Sequence, residues 1–417
     1  MASGFGVAVV AVGDELLLGD VINANLGWLG RTLAASGVRV VRGFEVGDGV
    51  ADIVAALKQA AATAQAVVVT GGLGPTTDDR TRQGLAAAAG VGLHRDPDLE
   101  ATIATWYEGR GRPAPPNVWS QADVPDGARP IANPLGTAPG LAMVIAGRPV
   151  YALPGVPAEL QAMVEASVAP ELAQLAGSPR ALVTRQLRVA VTGESAVAQQ
   201  LSSLEAGLGA GVQMSYLASP GEVRVRFTGT DVAVLDAVRS QAEALLGTQV
   251  SGRDEETLPA TVLRLLAERG ATVAVAESLT GGALASALVD IAGSSAAFRG
   301  AVVAYATELK DSLLGVDSGL LAAAGPVQAE VALAMARGAR QRLRATYAVA
   351  TTGVAGPDPV AAAPPGSAFV AVVGPRRDQE QVLALQLPGR RDLVRRLVVV
   401  NALDLLRRTL LAAEQGV

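Results

Sequence analysis

The 417-residue chain contains no cysteine and a single histidine, His94. The first absence excludes disulfides, thiolate metal sites and cysteine nucleophiles. The second excludes sites built from several histidines and leaves at most one histidine-assisted active site. Any further hydrolytic chemistry falls to Ser, Thr, Lys, Asp, Glu, Arg or Tyr. Aromatic residues are scarce at 3%, although 50% of the chain is apolar. Ala, Val, Leu and Gly must therefore do the packing, which suits layered α/β structure better than an aromatic-rich β-sandwich. Neither sign of charge dominates: 34 Lys and Arg are interspersed with 39 Asp and Glu, for a net charge of −5. Without a basic face, nucleic acid is not an expected partner. No apolar stretch approaches the ~20 residues of a membrane span, and the opening residues lack the basic n-region of a signal peptide. A cytoplasmic protein with no membrane partner is expected.

The chain is too long for one core and long enough for two or three domains. Residues 7–12, 38–44 and 66–70 read as buried strands, and 25–35, 51–62 and 80–89 as helices. Leu26, Leu29 and Leu33 share one helix face. This alternation predicts βαβ units, a mostly parallel sheet and ligands at the carboxyl ends of its strands. Residues around 90–150 are rich in proline and loops. From 171 to 250 two alternating strands, "RQLRVAVTG" and "GEVRVRFTG", accompany two helical stretches, which reads as a small α+β module. The polar segment 251–257 is the candidate linker. A second α/β block follows over 258–417.

Two strand ends carry chemistry. "VVVTGGLGPTTDD" places Gly71, Gly72, Gly74 and Thr76 at a strand end and Asp78 and Asp79 at a helix start. Glycine amides and a helix N-terminus suit a phosphate, and paired carboxylates suit a divalent cation bridging it. The loop is neither a P-loop nor G-x-G-x-x-G. A tight turn capped by Asp78 is the plainer reading, and both stand at this point. Asp14 and Glu15, after the first strand, add acids nearby.

The second is "AESLTGG", residues 276–282, between a short strand and a helical run. Ser278, followed by Thr280, Gly281 and Gly282, sits where free amides stabilise an oxyanion. Its hydroxyl needs a base, and with no Cys or local His at hand the nearest candidate by pattern is Lys310 of "VVAYATELK". Tyr305 and Lys310 fall at or just past a strand expected over 302–305. A lysine acts as a base when burial or a neighbouring cation lowers its pKa. Arg390 and Arg391 supply a cation or a bidentate phosphate ligand. A third strand over 347–350 ends in Thr352, Gly353 and Gly356. The plainer reading makes Ser278 a helix cap, Lys310 a surface residue and Tyr305 a half-buried aromatic.

Taken together, these motifs resemble the CinA family (competence/damage-inducible protein A) from end to end. "GDELLLGDVINANLGWL", "TGGLGPTTDD", "NPLGTAPG" and "LPGVPAEL" are similar to its N-terminal domain, of the MoaB/MogA, molybdopterin-binding-like fold. "AESLTGG", "GSSAAFRGAVVAYATELK", "LLGVDSGLL", "TTGVAGPD" and "PGRRD" are similar to its C-terminal nicotinamide mononucleotide deamidase domain. The resemblance implies an α/β protein with domains at 1–170, 171–250 (KH-type-like) and 258–417. It implies conversion of nicotinamide mononucleotide to nicotinate mononucleotide and ammonia, with Ser278 as nucleophile and Lys310 as base. Tyr305 and Arg391 complete the implied catalytic set, which needs no cofactor. Thr280, Gly281, Gly282, Thr352, Gly353 and Gly356 are expected to bind substrate there. For the N-terminal domain it implies an ADP-ribose pyrophosphatase using a divalent metal (Mg, Mn or Co), with a monovalent cation as a further candidate. Asp78, Asp79 and Glu15 are the expected metal ligands, with Gly71, Gly72, Gly74 and Thr76 binding substrate. A homodimer is expected.

The chain departs from the family pattern in places. Leu279 stands for a usual cysteine, Pro359-Val360 for Gly-Gly, and Gly325-Pro326-Val327-Gln328 for Gly-Ala-Val-Ser. The usual Lys-Pro-Val-Gly-Thr becomes Pro364-Pro365-Gly366-Ser367, a residue shorter. Two rival readings follow: a nucleotide-binding regulator with a silent C-terminal site, or a protein active only at its N-terminal site.

Overall fold

In the computed structural model, residues 5–177, 180–209, 211–360 and 363–413 are described. The chain divides into two compact units, Met1–Val183 and Thr184–Val417. No described helix is long and apolar enough to cross a membrane.

In the first unit β1 (Gly6–Val12), β2 (Arg39–Val46) and β3 (Ala66–Thr70) precede a two-stranded antiparallel pair, β4 (Leu93–Arg95) and β5 (Asp123–Pro125). The strands β6 (Arg129–Ile131), β7 (Gly140–Ile145) and β8 (Arg148–Leu153) follow, and the main sheet has the order β2-β1-β3-β8-β7-β6. Its first four strands are parallel, and β7 and β6 add antiparallel. The central strand β1, "GVAVVAV", is buried throughout because helices cover both faces. Its side chains alternate accordingly. Val7 and Val9 pack with Leu29, Leu33, Leu160 and Met163, while Ala8, Val10 and Val12 pack with Ile53, Leu57 and Leu85.

The second unit holds two sheets. β9 (Val183–Ala190), β10 (Val212–Ser219), β11 (Glu222–Gly229) and β12 (Val250–Arg253) form one in the order β10-β11-β9-β12, accompanied by the helices Glu194–Ala206 and Val232–Leu246. The other joins β13 (Val273–Glu277), β14 (Phe298–Val303), β15 (Tyr347–Gly353), β16 (Ser367–Val373) and β17 (Gln381–Gln386) in the order β14-β13-β15-β16-β17. Its first three strands are parallel and its last two antiparallel, so both main sheets are mixed. Val273 and Val275 join one core with Leu284 and Val398. Ala274 and Ala276 join another, with Met335 and Ala336.

Four expectations shift. The helix Ala169–Leu175 runs past the expected boundary at 170, because Leu172 is buried in the first unit's core. The first three residues of the expected linker 251–257 are strand: β12 pairs with β9, and the buried Ser251 hydroxyl donates to the Arg188 carbonyl. A polar Ser-Gly composition hid a paired edge. The segments expected as separate domains over 171–250 and 258–417 fall largely within one compact unit. Finally, β14 stops at Val303, so Tyr305 lies in the loop beyond it and Lys310 on the helix Thr307–Leu314.

Candidate functional site

In the second unit, the parallel strands β13, β14 and β15 end side by side. Ser278 follows β13, and its N–H donates to the Thr351 carbonyl of β15 (2.9 Å). Lys310 reaches the same point from its helix. Its Nζ lies 3.1 Å from Ser278 Oγ and donates to the Ala304 carbonyl (2.9 Å). Lys310 is 1% exposed and Ser278 8%. Burial pushes the Lys310 amine below the usual lysine range, partly opposed by Glu308. Burial, rather than the arginine considered from the sequence, is the cause. An amine so placed, with no carboxylate in ion-pair contact among the described residues, is suited to take a proton from a neighbouring hydroxyl.

At the rim, Arg391 donates from Nη2 to the Tyr305 hydroxyl (2.8 Å) and from Nη1 to the Gly356 carbonyl (3.0 Å). Tyr305 is 59% exposed. Ser278, Tyr305, Lys310, Thr352, Gly353, Gly356 and Arg391 all line one cavity of about 180 Å³. Thr352 is buried and donates its hydroxyl to the Pro326 carbonyl. Thr307 and Asp358, not foreseen from the sequence, line the cavity too. The altered loop contributes Val360, whereas residues 361 and 362 lie outside the described residues.

Thr280, Gly281 and Gly282 do not line this cavity, contrary to expectation. The Thr280 hydroxyl is buried against that of Thr351 (2.7 Å), and Gly281 N–H returns to the Ser278 carbonyl (3.1 Å). Gly282 N–H donates to Glu277 Oε2 (2.9 Å), so the helix-start amides are already engaged. Gly282 still has a backbone role, since its φ of 94° suits only a residue without Cβ. Arg390 stands just before the helix Arg391–Ala412 and does not reach the cavity lining.

The first unit carries a larger cavity, about 520 Å³, at the carboxyl ends of β1 and β3. Gly71, Gly72, Gly74, Thr76, Asp78, Asp79 and Glu15 all line it, as do the unforeseen Asn25, Asp48 and Glu159. Asp79 closes its own loop: Oδ1 accepts from Gly74 N–H (2.7 Å), and Oδ2 from Thr76 N–H (2.8 Å) and the Thr76 hydroxyl. Arg82, buried behind the loop, donates to the Leu73 (2.6 Å) and Gly74 (3.3 Å) carbonyls. Burial pushes its guanidinium down to about 10.

Glycine is required at position 71, where φ is 101° and a Cβ would meet the Val12 carbonyl oxygen at 2.2 Å. Gly71→Ala is therefore expected to destabilise the first unit by about 2–3 kcal/mol. All three tryptophans (Trp28, Trp106 and Trp119) lie in this unit, so fluorescence during denaturation reads the loss. An unchanged midpoint would show that the loop shifts freely.

The cavity's chemistry bears on the expected metal. Glu15, Asp48, Asp78, Asp79 and Glu159 line it, and no described Lys or Arg does. Burial, joined by the charges of Asp14, Glu15 and Asp78 and opposed by the Asp14 N–H, raises the Asp48 carboxyl above its usual range. Yet no group of three His, Cys, Asp or Glu gathers at metal-holding spacing among the described residues. Asp79 in particular is committed to the loop, not held ready as a ligand. This donor set fits an ion of the magnesium type, which uses one or two carboxylates and completes its shell with phosphate oxygens and water. Asp78 and Glu15 are the lining carboxylates that could hold one, although Asp78 also draws on Thr76 and the loop amides, which lower its carboxyl below the usual range.

Sequence comparison bears on both units. The pattern of the CinA C-terminal domain matches residues 255–410, and that of the probable molybdopterin binding domain matches residues 8–174. A CinA-like protein of Frankia casuarinae is 48% identical over 415 residues, covering 96% of this chain and 95% of its own. A putative competence-damage inducible protein of Symbiobacterium thermophilum is 43% identical over 419 residues, covering 97% and 98% respectively. Among solved structures, a CinA protein of Thermoplasma acidophilum is 38% identical with a TM-score of 0.38, covering 40% of this chain and 98% of that one. Relatives this similar, aligned over nearly the full length of both partners, place the chain in the CinA family.

Proposed function

We propose that the second unit hydrolyses the carboxamide of nicotinamide mononucleotide, giving nicotinate mononucleotide and ammonia. The observation that carries this reading is the buried Lys310 amine 3.1 Å from Ser278 Oγ. A neutral Lys310 takes the Ser278 proton as Oγ attacks the carboxamide carbon. The ammonium so formed returns that proton to the departing amine, and ammonia leaves an acyl ester on Ser278. Lys310 then takes a proton from water, the hydroxide attacks the ester, and Oγ recovers its proton as the carboxylate leaves.

Arg391, steered by Tyr305, supplies the planar donor fork that a nucleotide phosphate matches. Arg391→Ala is expected to raise KM for nicotinamide mononucleotide by about 10–100-fold, the worth of one or two charged hydrogen bonds. The penalty should vanish with nicotinamide riboside, which lacks the phosphate. A penalty equal for both substrates would move Arg391 away from the phosphate. The reading as a whole is tested by incubating the purified full chain with nicotinamide mononucleotide and measuring ammonia and nicotinate mononucleotide. Binding without either product would favour the regulatory, non-catalytic alternative.

For the first unit we infer cleavage of ADP-ribose at its diphosphate. The large cavity at the strand ends favours this reading, because its glycine loop offers backbone amides and its acidic lining demands a counter-charge. A divalent ion held by Asp78 and Glu15 would neutralise the diphosphate. The loop amides and the Asp79 anchor would hold the phosphates in register.

A further inference from the structure

Glu277 ends β13, directly before Ser278, and is fully buried. A buried carboxylate is strongly disfavoured unless its oxygens are satisfied. Here the partners are backbone amides: Oε2 accepts from Gly282 (2.9 Å) and Leu284 (3.1 Å), and Oε1 from Ala285 (2.8 Å). The charge thus sits against the start of the helix Ala283–Val289, whose free amides would otherwise be open to a ligand.

Arg395 grips the same turn through its carbonyls. Its Nε donates to Leu279 (3.1 Å) and its Nη2 to Thr280 (2.6 Å). The Ser278 and Gly281 amides are spent on the Thr351 and Ser278 carbonyls. After these bonds are made, the Leu279 N–H has no acceptor among the described residues, and Leu279 lines the cavity beside Ser278. The amide following a nucleophile is a recurrent oxyanion donor.

We propose that Glu277 is a positioning residue for the Ser278 reaction: by holding the helix-start amides, with Arg395 on the carbonyls, it fixes the turn that leaves the Leu279 N–H as oxyanion donor. The proposal rests on Ser278 being the nucleophile. Glu277 makes no hydrogen bond to Ser278 Oγ or to Lys310, so it acts through geometry rather than proton transfer.

Glu277→Gln tests it in the full chain, because the amide NH2 must then oppose at least one of the three N–H groups. The expected result is a fall in kcat of about 10²–10³-fold, the usual worth of an oxyanion donor, with KM held within about threefold. A second readout is independent of the substrate: Ser278 labelling by a small sulfonyl fluoride, followed by intact mass, should slow by a similar factor. Arg395→Met should slow both, and Arg395→Lys should restore part of the loss. Unchanged kcat and labelling, or a rise in KM alone, would reduce Glu277 to a helix cap and overturn the proposal. If Glu277→Gln does not fold, the Arg395 pair decides through the same two readouts. A wild-type chain that is labelled at Ser278 but releases no ammonia from nicotinamide mononucleotide contradicts only the substrate, and the labelling rates then decide. A wild-type chain that is never labelled overturns the proposal.

Discussion

Ser278→Ala and Lys310→Met are each expected to lower ammonia release from nicotinamide mononucleotide by at least about 10⁴-fold, and the double variant to lose no more than either single one. An amide carbon is a poor electrophile, and a covalent step through Ser278 divides its hydrolysis into two easier ones. Oγ attacks only if its proton has somewhere to go, and Lys310 Nζ at 3.1 Å is the acceptor the site offers. Removing either group removes the whole step, which makes the losses non-additive. Steady-state assays on the three variants check this. Multiplying losses would mean that the two residues act in separate steps.

The second large effect belongs to the first unit. Asp79→Asn replaces a carboxylate that accepts from Gly74, Thr76 N–H and the Thr76 hydroxyl with an amide whose NH2 must oppose one of them. Hydrogen bonds to a charged group are worth about 1.5–3 kcal/mol each, and a donor left unmet costs further. ADP-ribose cleavage should therefore fall by about 10²-fold or more, and added divalent ion should not restore it. Asp78→Asn should behave differently: it weakens ion binding and loosens only its own bonds to Thr76 and the adjacent amides, leaving the Gly74–Asp79 tie in place, so a higher concentration of Mg²⁺ should recover much of the rate. Recovery of Asp79→Asn by Mg²⁺ would instead make Asp79 a ligand. ADP-ribose turnover against ion concentration separates the two.

Much of this was legible in the sequence, for identifiable reasons. The strands that carry the sites, such as "AVVVT" and "VAVAE", are continuous apolar runs ending in polar residues, which is how a strand buried on both faces must look. Ser278 and Lys310 stand out because each follows a strand in a chain with few other residue types for such chemistry, and the fold brings them to 3.1 Å. What stayed hidden depended on side chains meeting across long separations. That Arg395 grips a turn 115 residues away cannot be read from "RRDLVRR". Glu277 stood in plain view in "AESLTGG", yet its neighbours gave no sign that it would take the amides of Gly282, Leu284 and Ala285 and displace any substrate from them. Asp79 is a further case. From the sequence the loop reads as a metal-assisted phosphate site or as a tight turn capped by Asp78, and the bond from Gly74 N–H to Asp79 at 2.7 Å, which ties the loop to itself, is visible only in the fold. The strand β12 was masked by a polar composition whose hydroxyl is satisfied by the Arg188 carbonyl, far off in sequence.

The most direct test of the Ser278–Lys310 account is the pH profile of ammonia release from nicotinamide mononucleotide by the full chain, from pH about 7 to about 10. Burial lowers the Lys310 pKa, so the ammonium that cannot act as base should give way to the neutral amine below the ordinary lysine value of ~10.4. The account predicts a rate that rises with pH through that depressed pKa to a plateau, with no such rise and almost no rate in Lys310→Met. Absence of ammonia from the wild-type chain, or a pH-independent rate that Lys310→Met retains, would contradict it.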